Sequence, residues 1–480
     1  MERVLSRGVG APRGAAAAGL ALAGALTGAT VALTELNALY LCAALLGCAF
    51  ILLDFRVGVV LLIVLMPLSR SHVFPHAMFG ITGLNPVNLL LAATLGACLL
   101  QGLGGAGLRD LVPRPLLWLY LAPLVAAAAL GLRHVDEIVQ GFPLYGLIQF
   151  DDAAGYLRDL LVKPLLLVVF ALLVAAAAAR SARPEAFLVP ACLSIWMMGA
   201  LALGFVLLSG AGLGELASSG ARAFLSPLGL HANELGRLYV SAYALLLFAA
   251  AEAREDGVPR PLLLASLALV VISLMLTFSR SAFLGFMVVN VLFLAWRRSG
   301  RALLIGALLA TAAPLLVPEA IFERVGAGFG QGANTVAAGR IEGLWLPLLP
   351  EVLASPLYGS GLGSILWSGA MHSAQAGAPG IIGATHPHNA YLETLLDMGL
   401  VGLALLGAYY LHAWRGLRAL AGDASLSPLM RGFYQGAAAG LAALLVIAVT
   451  GSSLAPRAEQ VYLWLAIGLM YGVRARRGPA

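Results

Sequence analysis

LLLASLALVVISLMLTFSRSAFLGFMVVNVLFLAW, residues 262–296, is an apolar stretch broken near its middle by Thr277–Ser281. As one helix it would be about 50 Å long at 1.5 Å per residue, too long for a single upright crossing of a roughly 30 Å hydrocarbon core. Arginines flank it on both sides, Arg254 and Arg260 before and Arg297, Arg298 and Arg301 after. The chain is therefore expected to cross twice and to turn at Ser279–Ser281. Each arm then has only about 15 to 17 residues, which sinks the turn below the membrane surface. Arg280 sinks with it. An arginine at that depth is costly unless it faces a watery cavity or an anion, so it marks a functional site by default. Snorkelling to lipid phosphate is the alternative reading.

The rest of the chain repeats the theme. It has 480 residues, is 61% hydrophobic and 11% charged, and has a mean hydropathy of +0.92. Apolar runs of about 17 to 22 residues recur along it. Only helices and closed barrels satisfy their backbone in lipid, and these runs lack the alternation of barrel strands. The expected fold is an all-α, polytopic transmembrane helical bundle of about 12 to 14 spans. Candidate spans begin near residues 15, 36, 57, 86, 115, 160, 186, 235, 262, 282, 302, 394, 436 and 459.

Short cytoplasmic loops concentrate Lys and Arg. With Arg3, Arg7 and Arg13 inside, alternate loops carrying Arg56, Arg109 and Arg114, Arg180 and Arg183, Arg254 and Arg260, Arg297, Arg298 and Arg301, Arg415, Arg418 and Arg431, and the tail with Arg474, Arg476 and Arg477 are also inside. That is 19 of the 29 basic residues. Both termini are expected in the cytoplasm, and the first apolar run reads as a retained anchor. The net charge of +6 follows from this topology; no aromatic-basic cluster suggests nucleic acid. Cys42, Cys48, Cys98 and Cys192 fall in expected spans and read as small apolar residues.

Four segments on the opposite, outer side are long or polar enough to build something: 69–85, 133–159, 210–234 and 319–393. The division expected is an N-terminal transmembrane bundle over 1–318, an outer loop with short helices over 319–393, and C-terminal transmembrane helices over 394–480. Connections as long as the last loop are functional or disordered. RIEGLWLPLLPEVL, from Arg340, has a helical pattern, and the turn-rich SPLYGSGLGS follows it. That Gly-rich segment lacks the strand–turn–helix context of a nucleotide loop and reads as a turn.

The loop exits through THPHNAYLETLLDMGLVG, Thr385–Gly402, where titratable groups crowd ahead of an apolar run. Pro387 biases His386 towards an extended backbone, and Asn389 is a good N-cap for a helix starting at Ala390. The positive end of that helix would keep His388 neutral near pH 7, the form a general base needs. A purely capping, interfacial role is the bland alternative, and a His386–His388 metal pair would lack obvious further ligands. A neutral base with Arg280 and Arg340 on one side suits chemistry at a lipid-borne phosphate or diphosphate, because guanidinium forks match phosphate oxygens. Arg158 and Lys163, in GYLRDLLVKP at the start of a span, are further substrate-binding candidates or interfacial anchors.

At these residues the sequence resembles the O-antigen ligase and polysaccharide polymerase superfamily. The ligase pattern of His, a small polar residue, nine residues and Gly-x-x-Gly is matched by His388, Asn389, Gly399 and Gly402. TFSRSAFLG looks like the family's Ser-Arg turn, GRIEGLWLPLLPEVLASPLYGSGLGS like its Gly-Arg…Trp…Pro-Leu-x-Gly-x-Gly segment, and HANELGRLYVSAYALLL, from His231, like its asparagine-containing span. The resemblance covers roughly residues 230–410. It implies a GT-C-like, metal-independent glycosyltransferase of the bacterial inner membrane, without a cofactor. Its donor would be an undecaprenyl-diphosphate-linked glycan on the periplasmic side, and its acceptor lipid A–core or a lipid-linked glycan. It also implies that Arg280 and Arg340 meet the donor diphosphate, that His388 activates the acceptor hydroxyl for an inverting attack, and that Asn389 orients the histidine or the acceptor. The competing readings are a transporter of small anions or lipid-linked sugars, which would show paired broken helices, and a glycan-binding membrane subunit.

Overall fold

The computed structural model describes residues 24, 28, 36–102, 112–138, 152–210, 228–253, 258–301, 303, 304, 306–308, 311, 319–326, 330–375, 381, 384–451 and 453–476. The expected first span near residue 15, most of that near 302, and Arg3, Arg7, Arg13, Arg109, Arg254 and Arg477 lie outside the described residues, as do 139–151 and 211–227 of the outer segments.

The described chain is an all-α polytopic helical bundle. Its apolar helices run in order as α1 (Leu36–Leu53), α2 (Phe55–Leu65), α3 (Pro86–Gly102), α4 (Arg114–Glu137), α5 (Ala153–Ala179), α6 (Pro184–Ser209), α7 (Ala232–Glu252), α8 (Arg260–Leu276) and α9 (Arg280–Arg297). Seven helices of the described chain are long and apolar enough to cross a membrane, and four shorter apolar ones accompany them. Most begin within about four residues of the expected spans, and α5 begins seven residues before the expected 160. The only strands among the described residues, β1 (Ala77–Met78) and β2 (Ile81–Thr82), form a minimal hairpin in the 69–85 segment.

The 262–296 stretch divides into two helices as expected, with the turn at Thr277–Ser279, two residues before the expected Ser279–Ser281. Helix α8 ends at Leu276, Phe278 takes a left-handed backbone at φ +46°, and Ser279 caps α9 by accepting from the Ala282 N–H at 3.4 Å. Asp54 makes the corresponding break between α1 and α2, capping α2 at the Arg56 N–H.

After α9 come the short helices of the long loop: α10 (Glu319–Gly326), a single turn at Ala333–Val336, then α11, which opens as a π turn over Ile341–Trp345 and continues as Leu346–Ala354, and α12 (Gly369–Gln375). The chain closes with α13 (Ala390–Ala421), α14 (Pro428–Ile447) and α15 (Val461–Ala475).

Small residues set the core. Helix α7 lies against α14, whose Gly432, Gly436 and Gly440 form a stripe facing it. A Cβ on Gly436 would collide with the Ala244 carbonyl of α7. Likewise α15 lies along α5, and a Cβ on Gly472 would collide with the Ala175 carbonyl in the alanine tract. Helices in lipid associate through this close van der Waals packing, since apolar burial gives no net drive between them.

One helix is broken. Gly399 in α13 has φ +63° and ψ −165°. The chain at 356–361 fills the break: Leu400 N donates to Pro356 O at 2.8 Å, Val401 N to Leu357 O at 3.0 Å, Ser360 N to Leu396 O at 2.8 Å and Gly361 N to Asp397 O at 3.0 Å. A side chain at 399 would run into the Leu357 carbonyl, so only glycine satisfies both the conformation and the space. The segment Ala390–Met398 thereby becomes a half-helix, docked by the turn-rich SPLYGSGLGS and presenting its N-terminus to the site.

Candidate active site

Four helix N-termini meet at one end of the bundle. Asn389 caps α13, accepting from Tyr391 N at 3.1 Å and Leu392 N at 3.2 Å, as its sequence position predicts. His388, immediately before it, sits in the left-handed region at φ +53°. Arg340 stands at the first position before α11, without a side-chain cap, and follows Ala338 and Gly339, both at positive φ. Arg280 opens α9 two residues after Phe278. Three of the five left-handed non-glycine residues among those described thus stand at or just before the three residues singled out by sequence. Backbone of this kind costs of order 1–3 kcal/mol each and persists where surrounding structure enforces it.

The enforcing contacts are visible. Trp345 Nε1 donates to Pro387 O at 2.9 Å, tying α11 to the turn before α13. Arg340 donates to Thr450 O at 3.0 Å. Ser279 Oγ bonds Asn233 Oδ1 at 2.8 Å and lies 3.0 Å from Ser281 Oγ, fixing the Arg280 turn to the first turn of α7. The α7 N-terminus is a capping box in which His231 accepts from Asn233 N and Glu234 accepts from His231 N at 2.9 Å.

Beneath these termini lies a chain of charges that sequence reading did not single out. Arg237, one turn into α7, pairs with Glu459 at 3.3 Å, and both side chains are buried. Arg457 pairs with Glu393 of α13 at 3.0 Å, and Arg70 with Glu234 at 3.6 Å. A Cβ on Gly451 would stand 3.6 Å from an Arg237 nitrogen and 4.0 Å from the His388 carbonyl, so the first pair lies directly beside the histidine turn. The signal for Arg237 was present: it is an arginine inside HANELGRLYVSAYALLL, and an ionisable group within a span is a functional candidate. Arg457 and Glu459 sit in the short polar link before α15, where nothing in the local pattern distinguishes them from an ordinary loop.

His386 and His388 stack edge to face with ring centres 4.1 Å apart, and His386 Nδ1 lies 3.3 Å from Thr385 Oγ1. Burial pushes the His388 imidazole down, and the charges of Arg340, His231, Arg237 and Arg457 push it further, to a pKa of about 4. His386 is also held well below its ordinary value, by burial and then by His388 and the same arginines. Both rings are neutral at pH 7. The expected neutrality of His388 is met, but its main physical cause is burial followed by neighbouring cations. Glu459 is pushed up by burial, yet Arg237 and Arg457 outweigh that and hold it ionised below the usual range. In Arg457 the carboxylates of Glu393, Glu459 and Glu234 outweigh burial and keep the guanidinium charged.

Arg158 and Lys163 stand apart. Both close on Asp159, at 3.0 and 2.6 Å, within a π turn at the start of α5. Lys163 acts electrostatically on His76 together with His72 and Arg70, so it belongs to a basic flank connected to the site through the Arg70–Glu234 pair. Among the described residues no group of three or more His, Cys, Asp or Glu side chains is arranged to hold a metal ion.

Chemically the centre offers two neutral imidazoles, His386 and His388, among three guanidiniums, Arg237, Arg340 and Arg457, against two carboxylates, Glu393 and Glu459. Helix N-termini with their positive dipole ends surround it. It suits an anion beside a group that can take a proton.

Residues 265–407 match a family model described as O-Antigen ligase. The match holds the Arg280 turn, Arg340, the 356–361 insertion, His386, His388 and the break at Gly399, and excludes Arg237, Arg457 and Glu459. No curated protein matches the chain.

Proposed function

We propose that this chain, whose residues 265–407 match the O-antigen ligase family and whose helices suit a multi-pass membrane protein, is a membrane glycosyltransferase of that type, moving a glycan from undecaprenyl diphosphate onto an acceptor hydroxyl at the end of the bundle where His388 lies. In this reading the acceptor oxygen attacks the anomeric carbon from the face opposite the diphosphate. The bond from that carbon to the phosphate oxygen breaks, and the configuration inverts. His388 takes the acceptor proton, and the electron pair leaves with undecaprenyl diphosphate. Arg280 and Arg340, backed by Arg237 and Arg457, stabilise the departing charge without requiring a metal. The site faces the periplasm, and Asn389 holds the histidine turn in register. Arg158, Lys163 and His386 serve the approach of substrate.

The observation that carries the reading is a neutral His388 placed among Arg340, Arg237 and Arg457. General-base transfer and leaving-group stabilisation need those two kinds of group together. A discontinuous helix is also a carrier feature, but the break in α13 is filled by 356–361.

The test is transfer by the purified protein in detergent, with an undecaprenyl-diphosphate glycan and candidate acceptors in EDTA. Transfer should persist in EDTA, and Arg280→Ala and Arg340→Ala should each raise the donor KM or lower kcat/KM by at least about 10-fold. Product size separates a ligase, which adds a finished glycan to lipid A–core, from a polymerase, which extends a lipid-linked glycan by repeat units. No transfer to any acceptor by folded protein would overturn the proposal.

A further inference from the structure

Helix α11, in the long loop, wears its apolar face outward. Leu346, Leu349, Pro350, Leu353 and Ala354 are exposed, Leu353 by 74%. Steps of three and four residues place them on one stripe. The one charged residue of Leu346–Ala354, Glu351, lies off that stripe and accepts from Gly369 N at 2.7 Å. A helix bathed in water does the reverse, turning its apolar stripe to the core and its charges out. An outward apolar surface of this kind marks contact with something apolar. Leu357 and Tyr358, exposed by 52% and 68%, extend it past the end of the helix.

Depth decides what the contact is. Helix α13 reaches the opposite membrane surface near Trp414 and Arg415. Counted back from there, a hydrocarbon core of roughly 30 Å takes about 20 residues at 1.5 Å each and ends near residue 395. Gly399 is then about 6 Å inside the core, and tilt of the helix only deepens it. The 356–361 chain is hydrogen-bonded to residues 396–401 across the break, so it stands at the same depth. Irregular backbone is tolerated there only where the protein satisfies it. Besides the bonds across the break, Ser355 Oγ donates to Gly359 O at 2.7 Å and Gly359 N to Ser355 O at 3.0 Å.

The stripe is also continuous with a surface that meets lipid. Val401 N donates to Leu357 O, and Leu400 and Val401 are both exposed on the α13 span. Polarity grades the other way along α11, since Arg340 and the exposed Glu342 precede the stripe. That order suits a helix passing from the headgroups into the acyl region.

We infer that α11 slants into the membrane, entering at Arg340 and Glu342 and descending to Leu357 and Tyr358, with its leucine stripe against the acyl chains of the leaflet on the site's side. Trp345 of this helix holds the His388 turn, so the leaflet sets the height of that turn. The inference goes beyond the transferase reading and holds whatever reaction His388 serves.

The test is photocrosslinking of the full chain in nanodiscs of phosphatidylethanolamine and phosphatidylglycerol. p-Benzoylphenylalanine replaces Leu349, Leu353 or Tyr358, the last a replacement of one phenyl-bearing side chain by another. Leu400 is the lipid-facing reference, and Gln331, an exposed polar position ahead of α11, is the contrast. Intact-protein mass spectrometry after irradiation counts phospholipid adducts. The three stripe positions should give adducts within about 2-fold of Leu400 and at least about 10-fold above Gln331. Adducts at the Gln331 level would put the stripe in water and overturn the inference. Chain-to-chain adducts in place of lipid adducts would overturn it too, in favour of a second copy covering the stripe. Transfer activity enters neither outcome, so the result is separate from the fate of the transferase reading.

Discussion

The indole of Trp345 donates to the carbonyl of Pro387 at 2.9 Å, joining the helix that begins after Arg340 to the turn that carries His388. The two segments are 42 residues apart in the chain, and this bond sets one against the other. Trp345→Phe keeps the ring and removes the donor. Its stability cost should be about 1 kcal/mol, the net value of one hydrogen bond. Its turnover should fall roughly 10-fold, because displacements of about 1 Å at a reacting centre cost that much or more. Thermal unfolding and kcat measured on the same preparation separate the two effects; a loss confined to stability would make Trp345 a structural residue only.

His388 occupies a backbone region that suits glycine. Relative to His388→Ala, His388→Gly should be more stable by about 1 kcal/mol, since it removes the left-handed penalty of a Cβ-bearing residue. Both variants should be inactive. Midpoints of denaturant unfolding compare them, and an alanine variant as stable as the glycine variant would show that the turn is unstrained.

The depressed pKa of His388 has a defined sign. From about pH 6.5 down to 4 the unfolded chain takes up the proton and the folded chain does not, so stability is fully present above the unfolded value and is lost as pH falls through the folded one. At 1.36 kcal/mol per unit the histidine contributes roughly 3 kcal/mol to that loss. His388→Asn should flatten the fall in Tm between pH 6.5 and 4; an unchanged slope would place the acid sensitivity elsewhere.

Activity carries a second signature of the same group. A bound diphosphate offsets the arginines that push His388 down, so donor binding should raise its pKa. The acid limb of kcat should therefore lie at higher pH than the limb of kcat/KM, which reports the free protein. Coincident limbs would mean that the diphosphate does not sit beside His388.

The Arg237–Glu459 pair is buried on both sides. Arg237→Met removes the direct partner of the buried Glu459 carboxylate and leaves Arg457 to hold it, so the cost should reach at most about 3–5 kcal/mol, whereas Arg237→Met combined with Glu459→Gln should recover much of it. Thermal shifts of the two single variants and the double variant in detergent decide; an additive double variant would show that the groups do not interact.

Much of this was legible in the chain, and the exceptions have physical causes. The α8–α9 turn followed from length and the flanking arginines, because a largely apolar stretch of 35 residues cannot stand upright in one bilayer. The Asn389 cap followed from local chemistry. Arg237 was visible as a charge inside a span, but its partner lies 222 residues away, and no periodicity reports that distance. Gly399 was legible only as part of the resemblance; its reason, the carbonyl of Leu357 lodged in a helix break, exists only after folding. The neutrality of His388 was expected from the helix dipole, a short-range property. Burial and Arg340, both tertiary, lead instead.

The most direct test of the central claim is a single-turnover comparison of wild type with His388→Ala, with binding of the undecaprenyl-diphosphate glycan measured on each. The account predicts that His388→Ala binds the donor like wild type and transfers it at least about 10²-fold more slowly, the usual scale of a general base. Transfer at the wild-type rate with equal donor binding would contradict it.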